Sequence, residues 1–452
     1  MRVLAKDVAA EVKKGAEIEL YGWVHRIRDM GGITFVILRD RSDLVQLVFD
    51  EEFPFPQDIT LESVINVRGI PALNEKAPGG AELAVRDITV FSRAAGDLPF
   101  QVNADVTKTG LEAILDNRLL SLRNPKVVSI FRVQSTITEA FATYLRAEGF
   151  TEIKSSKLVS GGTEGGTNLF QVEYFDRKVC LAQSPQFYKE VMVASGLERV
   201  FEIAPVYRAE KHDTPRHLNE YISMDIEMGF IESEKDLIEL EKGLLAHIFT
   251  ELTRKNKKDL EVWNASLPDA DAVATAPTFT YEEALKMANA VKDKNSGGRI
   301  FDINPEAERL LCEWALKEKG IELVFVTEYP RRHRPFYTFP LPSETEGEGA
   351  SDLGNSAMGN SALSMSFDCL FRGLEITSGS RRHHDYNAFL EALPFFGLKP
   401  EDQEGYLELL KYGCPPHGGF AIGLERLTQK ILGLTSVKEA SLFPRDRKRV
   451  TP

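Results

Sequence analysis

Apolar and polar residues alternate through residues 17–50, in runs broken at Met30-Gly31-Gly32 and Arg41-Ser42-Asp43. Period-two alternation bounded by such turn signals predicts half-buried β-strands. Two further runs, 63–71 and 81–91, flank the turn-rich Lys76-Ala77-Pro78-Gly79-Gly80. Five or so short strands within about 100 residues predict a small closed barrel over 1–100. Residues 101–125 read as a hinge with short helical pieces, among them Leu115-Asp116-Asn117-Arg118. The period then lengthens: Ile130, Val133, Ile137, Phe141 and Leu145 share one face of a helix that Gly149 is placed to cap. A second amphipathic helix is predicted over 233–262. Residues 343–366 are rich in Gly, Ser, Asn and Ala. They bury too little apolar surface to offset ordering, which predicts a mobile surface loop. No long internal repeat interrupts this order.

Composition narrows the class without naming it. The chain has 452 residues, 43% of them hydrophobic and 27% charged, as expected of a globular protein of two or three domains. No apolar run approaches the roughly 18 residues that a membrane span needs, so no membrane partner is expected. The start, MRVLAKDVAAEVKKG, lacks the apolar stretch of a secretory signal. Cys180, Cys312, Cys369 and Cys414 lie far apart, with no zinc-type spacing, and read as reduced thiols of a cytoplasmic protein. The net charge of −13 excludes a generally basic nucleic-acid coat, so any RNA contact must be local.

Chemistry concentrates in three segments. Residues 201–230 read as a strand ending in Tyr207-Arg208-Ala209-Glu210, a polar loop with Lys211, His212, Arg216 and His217, and a returning strand with Asp225 and Glu227. A guanidinium at a strand end followed by loop cations suits a triphosphate, because Arg offers phosphate a rigid fork. Residues 418–426, ending in Gly423-Leu424-Glu425-Arg426, read as a glycine-bearing strand that turns into a helix. In 367–379, Asp368 and Glu375 lie on a strand-like run. Glu375 and Ser378, three apart, can reach one ion only if that strand bends towards Gly379.

The first two segments resemble motifs 2 and 3 of class II aminoacyl-tRNA synthetases. With Gly161–Thr167, the run Ala182-Gln183-Ser184-Pro185-Gln186-Phe187-Tyr188-Lys189, and Leu442-Phe443-Pro444-Arg445-Asp446-Arg447, nearly the whole chain resembles the archaeal-type aspartyl enzymes of class IIb. The implied fold class is α+β: an N-terminal OB-fold barrel plus a catalytic domain at 126–452, on a six- or seven-stranded antiparallel sheet flanked by helices. The implied activity joins L-aspartate to tRNA(Asp) through an adenylate made from ATP, with Mg²⁺ as cofactor and a homodimer as the assembly.

The resemblance also assigns roles. Arg208 and Arg426 become the catalytic cations. Arg208, Glu210, Arg216, His217, Tyr221, Glu375, Gly423 and Arg426 bind ATP, with Tyr221 stacked on adenine and Glu375 and Ser378 holding Mg²⁺. Glu164, Gln183, Gln186, Lys189, Asp225, Ser378 and Arg382 take the amino acid. Lys189 and Arg382 grip its side-chain carboxylate, so asparagine would leave two buried charges unpaired. In the barrel, Phe35 and Gln46 match anticodon-reading positions, while His25 and Pro78 resemble the relaxed type that also charges tRNA(Asn). Three departures stand out: Ser156 replaces a proline in the motif 1 region that builds the dimer interface, Ala421 replaces a glycine, and 343–366 reads as an insertion. The rival expectations are an asparaginyl-tRNA synthetase and a non-catalytic paralogue that only binds RNA.

Overall fold

The computed structural model describes residues 2–162, 169–211, 214–292, 299–342 and 363–452. The sequence expectations for Glu164, His212 and the loop segment 343–362 therefore lie outside the described residues. The chain forms two compact units, Met1–Val127 and Val128–Pro452.

In the first unit, strands β1 (Ile18–Asp29), β2 (Thr34–Arg39), β3 (Leu44–Phe49), β4 (Val64–Leu73) and β5 (Ala81–Ser92) close a barrel in the order β1-β2-β3-β5-β4. The period-two residues Val36, Leu38, Val45, Leu47, Ile65, Val67 and Leu83 fill its interior. The register shift between β4 and β5 at Gly69 brings the backbones together, so that an added Cβ there would lie 2.0 Å from the Ala84 carbonyl oxygen. Part of the stretch 101–125 is tied down locally: the Asn124 amide donates to the Val102 oxygen at 2.7 Å, and Arg123 pairs with Glu62 at 3.2 Å.

In the second unit, β6 (Thr151–Glu152) begins a large sheet. A separate small sheet holds β7 (Leu158–Val159), β8 (Gln171–Tyr174) and β9 (Arg177–Leu181). The large sheet continues with β10 (Arg199–Tyr207), β11 (Glu220–Gly229), β12 (Thr278–Thr280), β13 (Leu323–Thr327), β14 (Ser366–Phe371), β15 (Leu374–Arg381) and β16 (His417–Gly423). Its order is β12-β13-β14-β15-β16-β11-β10-β6. The sheet thus has eight strands rather than six or seven. Its six central strands are antiparallel, and the short edge strands β12 and β6 pair in parallel.

One face of this sheet is core. Phe201, Met224, Ile226, Phe367, Ile376, Phe420 and Ile422 pack with residues of the helices Pro125–Ala147 and Glu234–Lys255. The first helix ends before Gly149, whose φ of +82° suits glycine. The helix predicted over 233–262 is two helices, Glu234–Lys255 and Lys257–Val262, because buried Asn256 turns its amide to Asp259 at 2.9 Å.

Two further expectations change. The run 367–379 is a hairpin, not one strand: Arg372 and Gly373, at φ of +49° and +72°, turn the chain between β14 and β15. The predicted loop 343–366 ends earlier than its composition implies. Ser364 and Met365 are buried, and Ser366 opens β14.

Candidate functional site

The other face of the large sheet holds the chemistry. On β11 the period of two separates Ile222, Met224, Ile226 and Met228 on the core side from Tyr221, Ser223, Asp225 and Glu227 on the opposite side. Tyr221, Ser223 and Asp225 line an open cleft of about 350 Å³, with Gln186, Lys189, Arg208, Glu210, Arg216, His217, Glu375, Ser378, Arg382, Gly423 and Arg426 around them. Gln183 is buried outside that lining.

The β10–β11 hairpin presents Arg208 and Glu210. Asn219 fixes their backbone, its amide donating to the Arg208 oxygen at 2.8 Å and the Glu210 oxygen at 3.1 Å. The Arg208 guanidinium lies 5.6 Å from the Tyr221 ring centre. Arg216 pairs with Glu308 on the helix Pro305–Lys319, and the His217 ring is 2.6 Å from the Thr214 hydroxyl. On the opposite wall, β16 runs between β11 and β15 so closely that a Cβ on Gly419 would meet the Ile226 oxygen at 2.0 Å. Ala421 sits opposite both Asp225 and Ser378 and lines the cleft.

Glu375 and Ser378 do share the cleft, and a bulge at Ile376 is the cause, not a bend at Gly379. Leu370 pairs with Glu375 and Cys369 with Thr377, so Ile376 is the extra residue that returns Glu375 to the Ser378 side. The Arg426 Nη1 donates to the Glu375 Oε1 at 3.1 Å and to its carbonyl oxygen at 3.0 Å.

Lys189 and Arg382 meet as expected, but neither charge is bare. The Lys189 Nζ lies 3.0 Å from Asp225 and 3.3 Å from Glu227. Arg382 donates to Glu227 at 2.9 Å, to Ser380 at 2.5 Å and to the Gly419 oxygen at 2.9 Å. Burial opposes the Glu227 charge, yet Arg382 and Lys189 outweigh it and hold the carboxyl below its usual range. Behind them Glu190 accepts from Tyr406 at 3.1 Å and pairs with His417 at 3.0 Å. Burial disfavours charge on His417, but hydrogen bonds to Cys414 and Glu190 prevail and raise it to about 10. Lys189, Arg382 and His417 are thus matched by Asp225, Glu227 and Glu190. The argument that asparagine would strand two bare cations therefore fails, because the protein already supplies their partners.

Sequence reasoning passed over Glu227, Glu190, His417 and Arg334 as site residues. Carboxylates at period two in a strand otherwise built of Ile and Met were the available signal for Glu227. Nothing local marked Arg334, which lines the cleft and pairs with Asp368.

In the barrel, Phe35 and Gln46 lie on the outer face of β2 and β3, opposite Val48 and Ile37. The Gln46 amide donates to Glu82 at 2.8 Å. Pro78 opens the turn Pro78–Gly80 that precedes β5. His25 is buried, its Nδ1 2.9 Å from Arg39, and burial followed by the Arg39 charge lowers it to about 4.

One unit thus carries a cleft lined by arginines with a buried carboxylate–cation cluster, the other is a closed barrel, and each matches a known family. Residues 110–447 match the family of class II tRNA synthetases (D, K and N), and 18–91 match the OB-fold nucleic acid binding domain. The chain belongs to that class II synthetase family. It is 44% identical to the aspartate–tRNA(Asp/Asn) ligase of Deinococcus radiodurans over 97% of this chain and 96% of that one. It is 37% identical to the aspartate–tRNA(Asp) ligase of Pyrococcus furiosus over the full length of both. Among solved structures it resembles the Pyrococcus horikoshii asparaginyl-tRNA synthetase with asparaginyl-adenylate, at 30% identity and a TM-score of 0.85, covering 97% of this chain and 96% of that one.

Proposed function

We propose that the protein is an aspartate–tRNA ligase. It activates L-aspartate with ATP and passes the aspartyl group to the 3′ end of tRNA(Asp). The observation that carries this reading is the closed cluster of Lys189, Asp225, Glu227 and Arg382 beside the Arg208 and Arg426 walls of one cleft. Full-length identity to aspartate–tRNA ligases supports it.

Aspartate enters by exchange of partners. Asp225 is held by Lys189 and by Ser223 at 2.5 Å, whereas Glu227 is gripped by Arg382 and Lys189 together. The substrate ammonium takes Asp225, which frees Lys189 for the side-chain carboxylate while Arg382 stays anchored. Gln183 and Gln186 position the amino acid, and Glu164 is assigned to the same task. With asparagine, Lys189 would keep only Glu227, which it shares with Arg382, so discrimination rests on that one displaced pairing and not on two bare cations.

One oxygen of the α-carboxylate then bonds to the α-phosphorus, the bond to the bridging oxygen breaks, and pyrophosphate leaves. The nucleophile is already an anion, so the task is alignment and charge neutralisation rather than proton removal. Arg208 neutralises the α-phosphate, with Arg216, His217 and Arg426 on the outer phosphates. Tyr221 and Glu210 hold the adenine, and Gly423 lines the cleft next to Arg426. The hard oxygen donors Glu375 and Ser378, brought to one side by the Ile376 bulge, suit Mg²⁺, which would add neutralising charge at the phosphates.

Phe35 and Gln46 are assigned to the anticodon, and the enzyme is expected to work as a cytoplasmic homodimer through the motif 1 segment containing the exposed Ser156. No described helix is long and apolar enough to cross a membrane. A second reading, that tRNA(Asn) is charged too, is favoured by the 44% identity to a ligase named for both tRNAs. Aspartate-dependent ATP–pyrophosphate exchange beside an asparagine control tests the main reading, and no exchange with aspartate overturns it. Aspartylation of purified tRNA(Asn) tests the second, which falls if none is incorporated.

A further inference from the structure

Arg334 engages Ser378, one of the two residues assigned to the metal, together with the neighbouring Asp368. Its Nη1 donates to the Ser378 hydroxyl at 3.0 Å and to the Asp368 Oδ1 at 2.9 Å, and its Nη2 lies 2.8 Å from the Asp368 Oδ2. The guanidinium stacks 3.8 Å from the Tyr329 ring centre, which fixes its plane. Asp368 and Ser378 are register partners across the β14–β15 hairpin, so one fork spans both strands. Arg334 is 10% exposed at its side chain and Asp368 9%, so this is a packed pair, not a surface contact. The remaining donor, Glu375, is held by Arg426. Asp368, Ser378 and Glu375 are therefore each engaged by a guanidinium.

We propose that Arg334 is an internal counter-cation that reserves the Ser378 and Asp368 oxygens, so that a divalent ion binds this wall only when a polyphosphate arrives with it. A lone divalent ion meets a guanidinium at the Ser378 oxygen and is repelled. A metal bound to triphosphate brings its own negative charge, which Arg334 can face without leaving Asp368. Arg334 is thus a positioning residue that couples metal entry to nucleotide entry. The inference rests on the assignment of Glu375 and Ser378 to the metal, and its test is separate from the test of aspartate activation.

The test is Mn²⁺ binding followed by electron paramagnetic resonance on the full chain, with and without ATP. Without nucleotide, R334Q should bind Mn²⁺ about tenfold more tightly than the parent, because the Asp368 carboxylate is released. R334Q/D368N should fall back to the parent affinity. R334K, which keeps a charge but cannot span both oxygens, should lie between them and decides the matter if R334Q does not fold. With ATP, the gap between the parent and R334Q should narrow. Equal nucleotide-free affinity in the parent and the folded Arg334 variants overturns the proposal, as does a double variant as tight as R334Q. Pyrophosphate exchange by the parent reports on the aspartate reading alone.

Discussion

Glu375 and Ser378 face one cleft from a single strand because Ile376 bulges between them, adding the residue that a regular strand of this spacing lacks. The same carboxylate orients Arg426 through its side chain and its backbone oxygen. Substituting Glu375→Gln keeps the shape but removes the charge. Aspartate-dependent pyrophosphate exchange should fall by about 10²- to 10³-fold in kcat, with KM for aspartate little changed. Steady-state kinetics over aspartate and ATP measure this; a change confined to the aspartate KM contradicts it.

Lys189 is 2% exposed and faces two carboxylates. Lys189→Met should leave that pair short of a cation and cost about 3–5 kcal/mol of stability. K189M/D225N, with one charge of each sign removed, should regain most of the stability and none of the activity. Urea unfolding of the three proteins separates the two effects.

Glu241 supports the sheet from its core face, accepting from Thr377 at 2.6 Å. Burial raises its carboxyl to about 8 from an ordinary 4.5. The folded state therefore binds this proton more tightly than the unfolded one. The group favours folding most below about 4.5, loses that advantage as pH rises to about 8, and is level beyond. Across that window the stability of the parent should decline relative to Glu241→Gln by about 1.4 kcal/mol per pH unit. Parallel stability curves over that window would refute the assignment.

Phe35 stands on the barrel's outer face, in a different compact unit from the cleft. Phe35→Ala should leave pyrophosphate exchange unchanged and weaken tRNA use by about 5- to 150-fold, the worth of one stacked base. Aminoacylation and exchange assays on one preparation distinguish this from a folding defect.

What could be read in advance follows from distance along the chain. The barrel strands and the helix face of Ile130 to Leu145 were legible because period and turn signals are local. The hairpin at Arg372-Gly373 was not, since Arg-Gly is a weaker turn signal than Asn-Gly although both residues take positive φ. The candidate cations were found through motif resemblance. Their partners were missed because Glu227 and Arg382 lie 155 positions apart, and no spacing rule joins them. His25 carried no mark of burial either; it sits at the register shift between β1 and β2, beside Arg39, which in turn holds Glu62.

Strand β11 is buried from Ser223 to Gly229, with the cleft and its buried carboxylates on one side and the main core on the other. A change at any of these seven positions disturbs either the cleft side or the packing beneath it. Altered amino-acid preference, in nature or in a directed-evolution library, has little room to arise along this strand. It is more readily sought on the neighbouring strands, where Ser380 accepts from Arg382 and Ala421 sits opposite Asp225 and Ser378.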